Sequence, residues 1–142
     1  GLELTERCRV LRVIACEMSR IISHLVWLGT TGIDLGAFTP FLWSFQERER
    51  IYNLQEAWTG ARLTTSLTRV GGLMADIPDG WEAGLREFTA TFPKTLDEVA
   101  FAATHNSMSA EGQRGYADFI VGFTAEAIAA RVEAAVLDRL GV

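Results

Sequence analysis

Along two stretches of this chain, apolar side chains recur at steps of three and four, the period of one face of an α-helix. The first set is Ile14, Met18, Ile21, Leu25 and Leu28; the second is Trp81, Leu85, Phe88, Phe92 and Leu96. Stripes of this kind need a partner surface, so they commit most of the chain to packed helices. The first predicts a helix over 5–28. A further set, Leu11, Ala15, Ile22 and Val26, widens its stripe. A helix with so broad an apolar face is expected to be covered on two sides and to lie in the middle of a bundle.

Gly29-Thr30-Thr31-Gly32 is a run of poor helix formers and predicts a weakening or bend. Thr39-Pro40 then reads as a helix start, with Thr39 as the cap and Pro40 at the first helical position. The second helix is expected over 40–58, with Phe41, Phe45 and Tyr52 inward. Its charge run from Gln46 to Arg50 reads as a solvated face carrying a Glu47–Arg50 ion pair. Residues 59–76, rich in Gly and Thr, predict irregular or short extended structure. A third helix is expected to begin at Pro78, with Pro93 kinking or restarting it. A last helix over 124–140 has Thr124 as its cap and Ile128, Val132, Val136 and Leu140 on one face. The fold class is therefore all-α, a helical bundle of about four helices with an irregular connection at residues 59–76.

The 142 residues suit one domain, and 49% apolar with 22% charged residues is a globular rather than a disordered composition. A net charge of −5 gives no electrostatic reason to expect nucleic acid as a partner. Cys8 and Cys16 stand eight residues apart on one predicted helix, roughly 12 Å, too far for a disulfide. They also lack the close spacing of a zinc or iron–sulfur site, so no metal or cluster is expected on this chain. The first twelve residues mix Glu3, Glu6, Arg7, Arg9 and Arg12 with apolar positions, unlike a secretory signal. The most apolar stretch is broken by His24, Asp34 and Pro40, so direct membrane insertion is not expected. Arg62 and Arg69 sit among small residues; each reads either as a surface charge or as a fork presented to a carbonyl or anion.

Longer strings carry a more specific signal. Glu17-Met18-Ser19-Arg20-Ile21, Ser23-His24-Leu25-Val26-Trp27-Leu28-Gly29-Thr30 and Ile33-Asp34-Leu35-Gly36-Ala37-Phe38-Thr39-Pro40-Phe41 occur in order. Glu47-Arg48-Glu49, Thr59-Gly60-Ala61-Arg62, Arg69-Val70-Gly71-Gly72, Asp76-Ile77-Pro78-Asp79-Gly80-Trp81 and Phe92-Pro93-Lys94 follow. Over about residues 10–99 the chain resembles the quinone-site core subunit of respiratory complex I, the D-type or 49-kDa subunit of NADH:quinone oxidoreductase. The resemblance implies a place in the hydrophilic arm, beside the iron–sulfur subunit that holds the terminal cluster. It implies quinone as the substrate of the parent complex, with NAD bound only at another subunit; no Gly-x-Gly-x-x-Gly occurs here. It also implies a cytoplasmic location, peripheral on the inner face of a bacterial membrane.

In that family a His from a His-Pro-x-Thr-His-Gly loop and a Tyr hold the quinone head group, both upstream of the matched region. Asp34 matches the carboxylate that pairs with that His, which makes it the candidate catalytic residue. A carboxylate beside an imidazole orients it and favours its protonated form, suited to a quinone that must take up protons. Asp34 also reads as a polar residue at a helix bend. His24 reads as a packed helix residue. Arg62, Thr64 and Arg69 are the candidates for a quinone-site or partner-facing role. Thr64 stands where the family often has a His two positions after the matched Arg.

String by string, the resemblance runs to about Val99, which predicts a helical core over 1–99 and a divergent segment over 100–142. Within residues 97–109, Thr104-His105-Asn106 resembles the catalytic loop of phosphatidylinositol-phospholipase-C-like phosphodiesterases. A barrel of that type needs roughly 200 residues or more, and no second catalytic His follows. A redox subunit, a purely structural helical bundle and a phosphodiesterase fragment are the three readings, in falling order of support.

Overall fold

A computed structural model describes residues 3–34 and 36–104. It contains α1 (Glu6–Asp34), α2 (Phe38–Thr59), β1 (Thr68–Arg69), β2 (Gly72–Leu73) and α3 (Trp81–Thr104). The described part is thus a three-helix bundle with one small hairpin in the 59–76 connection. The expected terminal helix over 124–140 lies outside the described residues, as does His105.

The first helix does not stop at Leu28. Gly29 and Gly32 are buried within α1, which runs on to Asp34. Packing overrides the propensity cost of about 1 kcal/mol per glycine. At Gly29 the reason is close approach: a Cβ there would lie 3.2 Å from Phe41 Cδ2 and 3.4 Å from Phe41 Cα. The Thr30 hydroxyl donates back to the carbonyl of Val26 at 3.0 Å, so it adds no orphan polar group. The turn falls instead at Gly36, whose φ is 84°. Its N–H donates to Ile33 O at 2.8 Å and the Ala37 N–H to Gly32 O at 2.7 Å. That bond pair is the glycine-dependent Schellman closure of a helix.

Thr39 is not the cap of α2. Ala37 holds that position with no side-chain cap bond, and Pro40 falls third in the helix. The ring is tolerated there because first-turn N–H groups have no helical acceptor. At the other end Gly60, at φ 74°, donates its N–H to Glu56 O at 2.8 Å.

Among the described residues it is α2, not α1, that packs against both other helices. Its inward positions include Ser44, Glu47 and Gln55 beside Ile51, Tyr52 and Trp58. The Gln46–Arg50 run is therefore not simply a solvated face. The Glu47–Arg50 pair forms as expected, at 2.8 Å, but Glu47 is only 4% exposed. Thr95 Oγ1 donates to the second Glu47 oxygen at 3.4 Å. Arg50 donates to Thr91 Oγ1 at 2.7 Å and lies 5.2 Å above the Phe88 ring, so the pair pins α2 to α3.

The third helix starts at Trp81 rather than Pro78 and passes unbroken through Pro93. Its predicted stripe, Trp81, Leu85, Phe88, Phe92 and Leu96, is buried throughout. Trp81 also packs against Trp58, with ring centroids 5.0 Å apart, and donates from Nε1 to Leu54 O at 2.8 Å. In the hairpin, Thr68 faces Leu73 and Arg69 faces Gly72. The two-residue turn places Gly71 at φ 82°, which glycine adopts without strain.

Candidate functional site

Asp34 occupies the last turn of α1, is exposed, and has no basic residue in that turn. A carboxylate at the negative end of a helix dipole is locally unfavourable, by about 0.3–1 kcal/mol. Such placement costs stability and suits a group held there for a partner. Around it the elbow between α1 and α2 exposes Ile33, Phe38 and Leu42. Phe38, Phe41 and Phe45 continue as a ring ladder, with centroids 5.8 Å and then 4.1 Å apart. The elbow therefore offers one exposed carboxylate on an apolar rim, able to pair with a neighbouring cation.

The other candidates stand elsewhere. Arg62 and Thr64 follow the far end of α2, and Arg69 lies in β1. Along α2 the 21 steps from Phe38 to Thr59 span roughly 32 Å. The fold thus does not bring Asp34 into one cluster with Arg62, Thr64 and Arg69. Arg62 folds back on α2, donating to Asn53 Oδ1 at 3.0 Å, Glu56 Oε2 at 2.8 Å and Glu49. The Glu56 hydrogen bond raises its already high pKa; desolvation opposes it, and the charges of Glu49 and Glu56 add to the rise. Its guanidinium also sits 5.7 Å from the Tyr52 ring centroid. Thr64 and Arg69 are exposed, and the adjoining turn residue Val70 is 95% exposed. His24 is half-buried on α1.

Sequence reasoning missed the polar interior of α2. Ser44 Oγ and Arg48 Nε are buried with no hydrogen-bond partner among the described residues. The Arg48 guanidinium lies 4.4 Å from the Phe45 ring centroid and 5.1 Å from that of Tyr52. Aromatic positions three residues before and four after Arg48 were the available signal for this stack. Among the described residues no group of three His, Cys, Asp or Glu could hold a metal ion. No helix of the described residues is long and apolar enough to cross a membrane.

The family model for the respiratory-chain NADH dehydrogenase, 49 Kd subunit, matches residues 34–124. The chain belongs to this family. The D-type NADH-quinone oxidoreductase subunit of Methylacidiphilum infernorum is 48% identical over 108 residues, 76% of this chain and 26% of that protein. The Bacillus cytotoxicus protein of the same name is 50% identical over 96 residues, 68% of this chain and 26% of its own length. The second D-type protein of Koribacter versatilis is 45% identical over 117 residues, 82% and 29% of the two chains. The chain therefore spans little more than a quarter of the curated relatives it matches. The 49-kDa family match also runs past Val99, and its span includes residues 97–109.

Proposed function

We propose that this chain is a helical segment of the quinone-reducing core subunit of an NADH:quinone oxidoreductase, and that its α1–α2 elbow walls part of the quinone cavity. One observation carries the reading: Asp34 stands exposed at a helix C-terminus among Ile33, Phe38 and Leu42, in a chain of the 49-kDa family. The names of its relatives supply the reaction class, NADH-quinone oxidoreduction. In this role the carboxylate is a positioning group. It orients a neighbouring imidazole contributed from outside residues 1–142 and favours its protonated form, so that a proton stands ready as the quinone is reduced. The apolar rim excludes water and gives the flat ring a surface to lie on.

At the far end, Val70 and Arg69 on the hairpin face a partner subunit, the iron–sulfur subunit of the hydrophilic arm. Arg62 braces that loop on α2. Thr64, lacking an imidazole, contributes no titrating group there. The whole assembly is peripheral to the membrane on its cytoplasmic side, with NAD handled by another subunit.

The test is Asp34→Asn in the assembled complex, with quinone reduction measured across pH. A fall of at least tenfold in kcat with an altered pH profile is expected, while the iron–sulfur signal stays unchanged. An unchanged rate and profile would remove Asp34 from the site.

A further inference from the structure

Between the middle of α1, the last turns of α2 and the start of the hairpin lies a cavity of about 300 Å³. It is separate from the elbow, since Met18 in its wall is 16 residues from Asp34, roughly 24 Å along α1. Its size is at the lower end of the range for small-molecule pockets, enough for one compact ring system. No charged side chain lines it. An ionic ligand would lose its hydration there without compensation, so a fitting ligand is neutral.

The wall is mainly apolar, with Met18, Trp58 and Leu67 contributing. The Trp58 indole N–H already donates to Ala75 O at 3.2 Å, which leaves the ring itself to act as a flat wall. Gln55 contributes the one side-chain amide among the lining residues. It is 8% exposed and lines the cavity. An amide facing a groove can both donate to and accept from a bound polar group. Thr65 and Thr68 add hydroxyls at the mouth, where Cys16 is exposed.

We infer that this groove binds a small, flat, uncharged carbonyl compound, with the Gln55 amide donating to its carbonyl oxygen and Trp58 flanking its ring. The site is independent of the quinone reading above, because it shares no residue with the elbow.

The test uses the full chain and coumarin, a neutral flat lactone, as the probe. The rate of maleimide labelling at Cys16 is followed by mass spectrometry, with Cys8 as internal reference. Coumarin is expected to slow Cys16 labelling at least fivefold in a saturable manner and to leave Cys8 unchanged. Gln55→Leu, at unchanged helical circular dichroism, is expected to weaken the apparent affinity at least fivefold. Thr68→Phe, on the exposed hairpin, is expected to fill the groove and abolish the coumarin effect without touching the core. Asp34→Asn is expected to leave the effect intact. Unsaturable or absent protection overturns the site, as does equal protection in the Gln55→Leu and Thr68→Phe variants.

Discussion

The helices α2 and α3 are close in length and pack against each other, yet they are held by different means. The α3 stripe is apolar, and its burial follows from the hydrophobic effect; the buried polar residue beside it, Thr89, satisfies its hydroxyl within the helix by donating to Arg86 O at 3.0 Å. Inside α2, Ser44, Glu47 and Gln55 share the buried face with Ile51, Tyr52 and Trp58. A stripe such as α3's announces its own burial. A helix such as α2 is buried because its neighbours surround it, and its polar groups then settle which arrangement of the neighbours is satisfied.

The comparison predicts a large cost for truncating α3. Phe88 is 3% exposed and stacks on Phe92 at a centroid distance of 4.9 Å. Phe88→Ala should destabilise by about 3–5 kcal/mol, read as a lower urea midpoint at unchanged slope. A cost under about 1 kcal/mol would mean that α3 is not packed as described. In α2 the matching test is Glu47→Ala. Arg50 is about a third exposed and keeps Thr91 and Phe88 as partners, so it can regain water when the carboxylate goes. The loss should be about 1–3 kcal/mol, below the roughly 3–5 kcal/mol for breaking a fully buried pair. If Glu47→Ala costs as much as Phe88→Ala, the pair is as deeply committed as the apolar stripe and the contrast between the helices fails. A double-mutant cycle with Thr95→Ala then isolates the shared hydrogen bond.

This contrast also explains what could be read in advance. The α3 stripe was legible because five large apolar residues at one period leave a single consistent face. The extent of α1 was not, because Gly29 and Gly32 look like helix breakers until Phe41 and Phe45 are known to lie against that face. The place of α2 was hidden for the opposite reason: Glu47 and Arg50 look solvent-bound until Thr91 and Thr95 of α3 arrive beside them. For the site, Asp34 could be singled out by the strings around it. Its separation from Arg62, Thr64 and Arg69 could not, since it follows from α2 being one uninterrupted helix between them.

A smaller, cleaner effect comes from the backbone where α2 ends. Gly60 has φ 74°, and a Cβ there would meet nothing within 4 Å. Gly60→Ala should therefore cost only the left-handed strain, about 1–2 kcal/mol, with no packing contribution. Thermal unfolding should show a lower Tm, with the α1–α2 elbow unaffected because it lies at the other end of the helix. A neutral result would show that the 60–62 turn relaxes freely and that Arg62 is not holding it.

The smallest effect sharpens the comparison from outside the core, at a pair that water can reach. Arg7 donates to Asp76 through Nη2 at 3.1 Å and Nε at 3.2 Å, tying the start of α1 to the loop before α3. The Arg7 hydrogen bond first, then the Ile77 N–H, hold the Asp76 carboxyl below the usual carboxylate range. Because the folded value is depressed, the stabilisation is complete above the ordinary carboxylate value and disappears as pH falls through the folded one. Both side chains are about half or more exposed, so the pair is worth about 0.2–1 kcal/mol at most. As pH falls below the ordinary carboxylate value and through the lower folded one, the native chain should lose that much more stability than Asp76→Asn, and less of it in high salt. Equal acid slopes would show that the pair joins the two elements in geometry only. The buried Glu47–Arg50 pair would then be the one ionic contact, of the two compared, that contributes to holding the helices together.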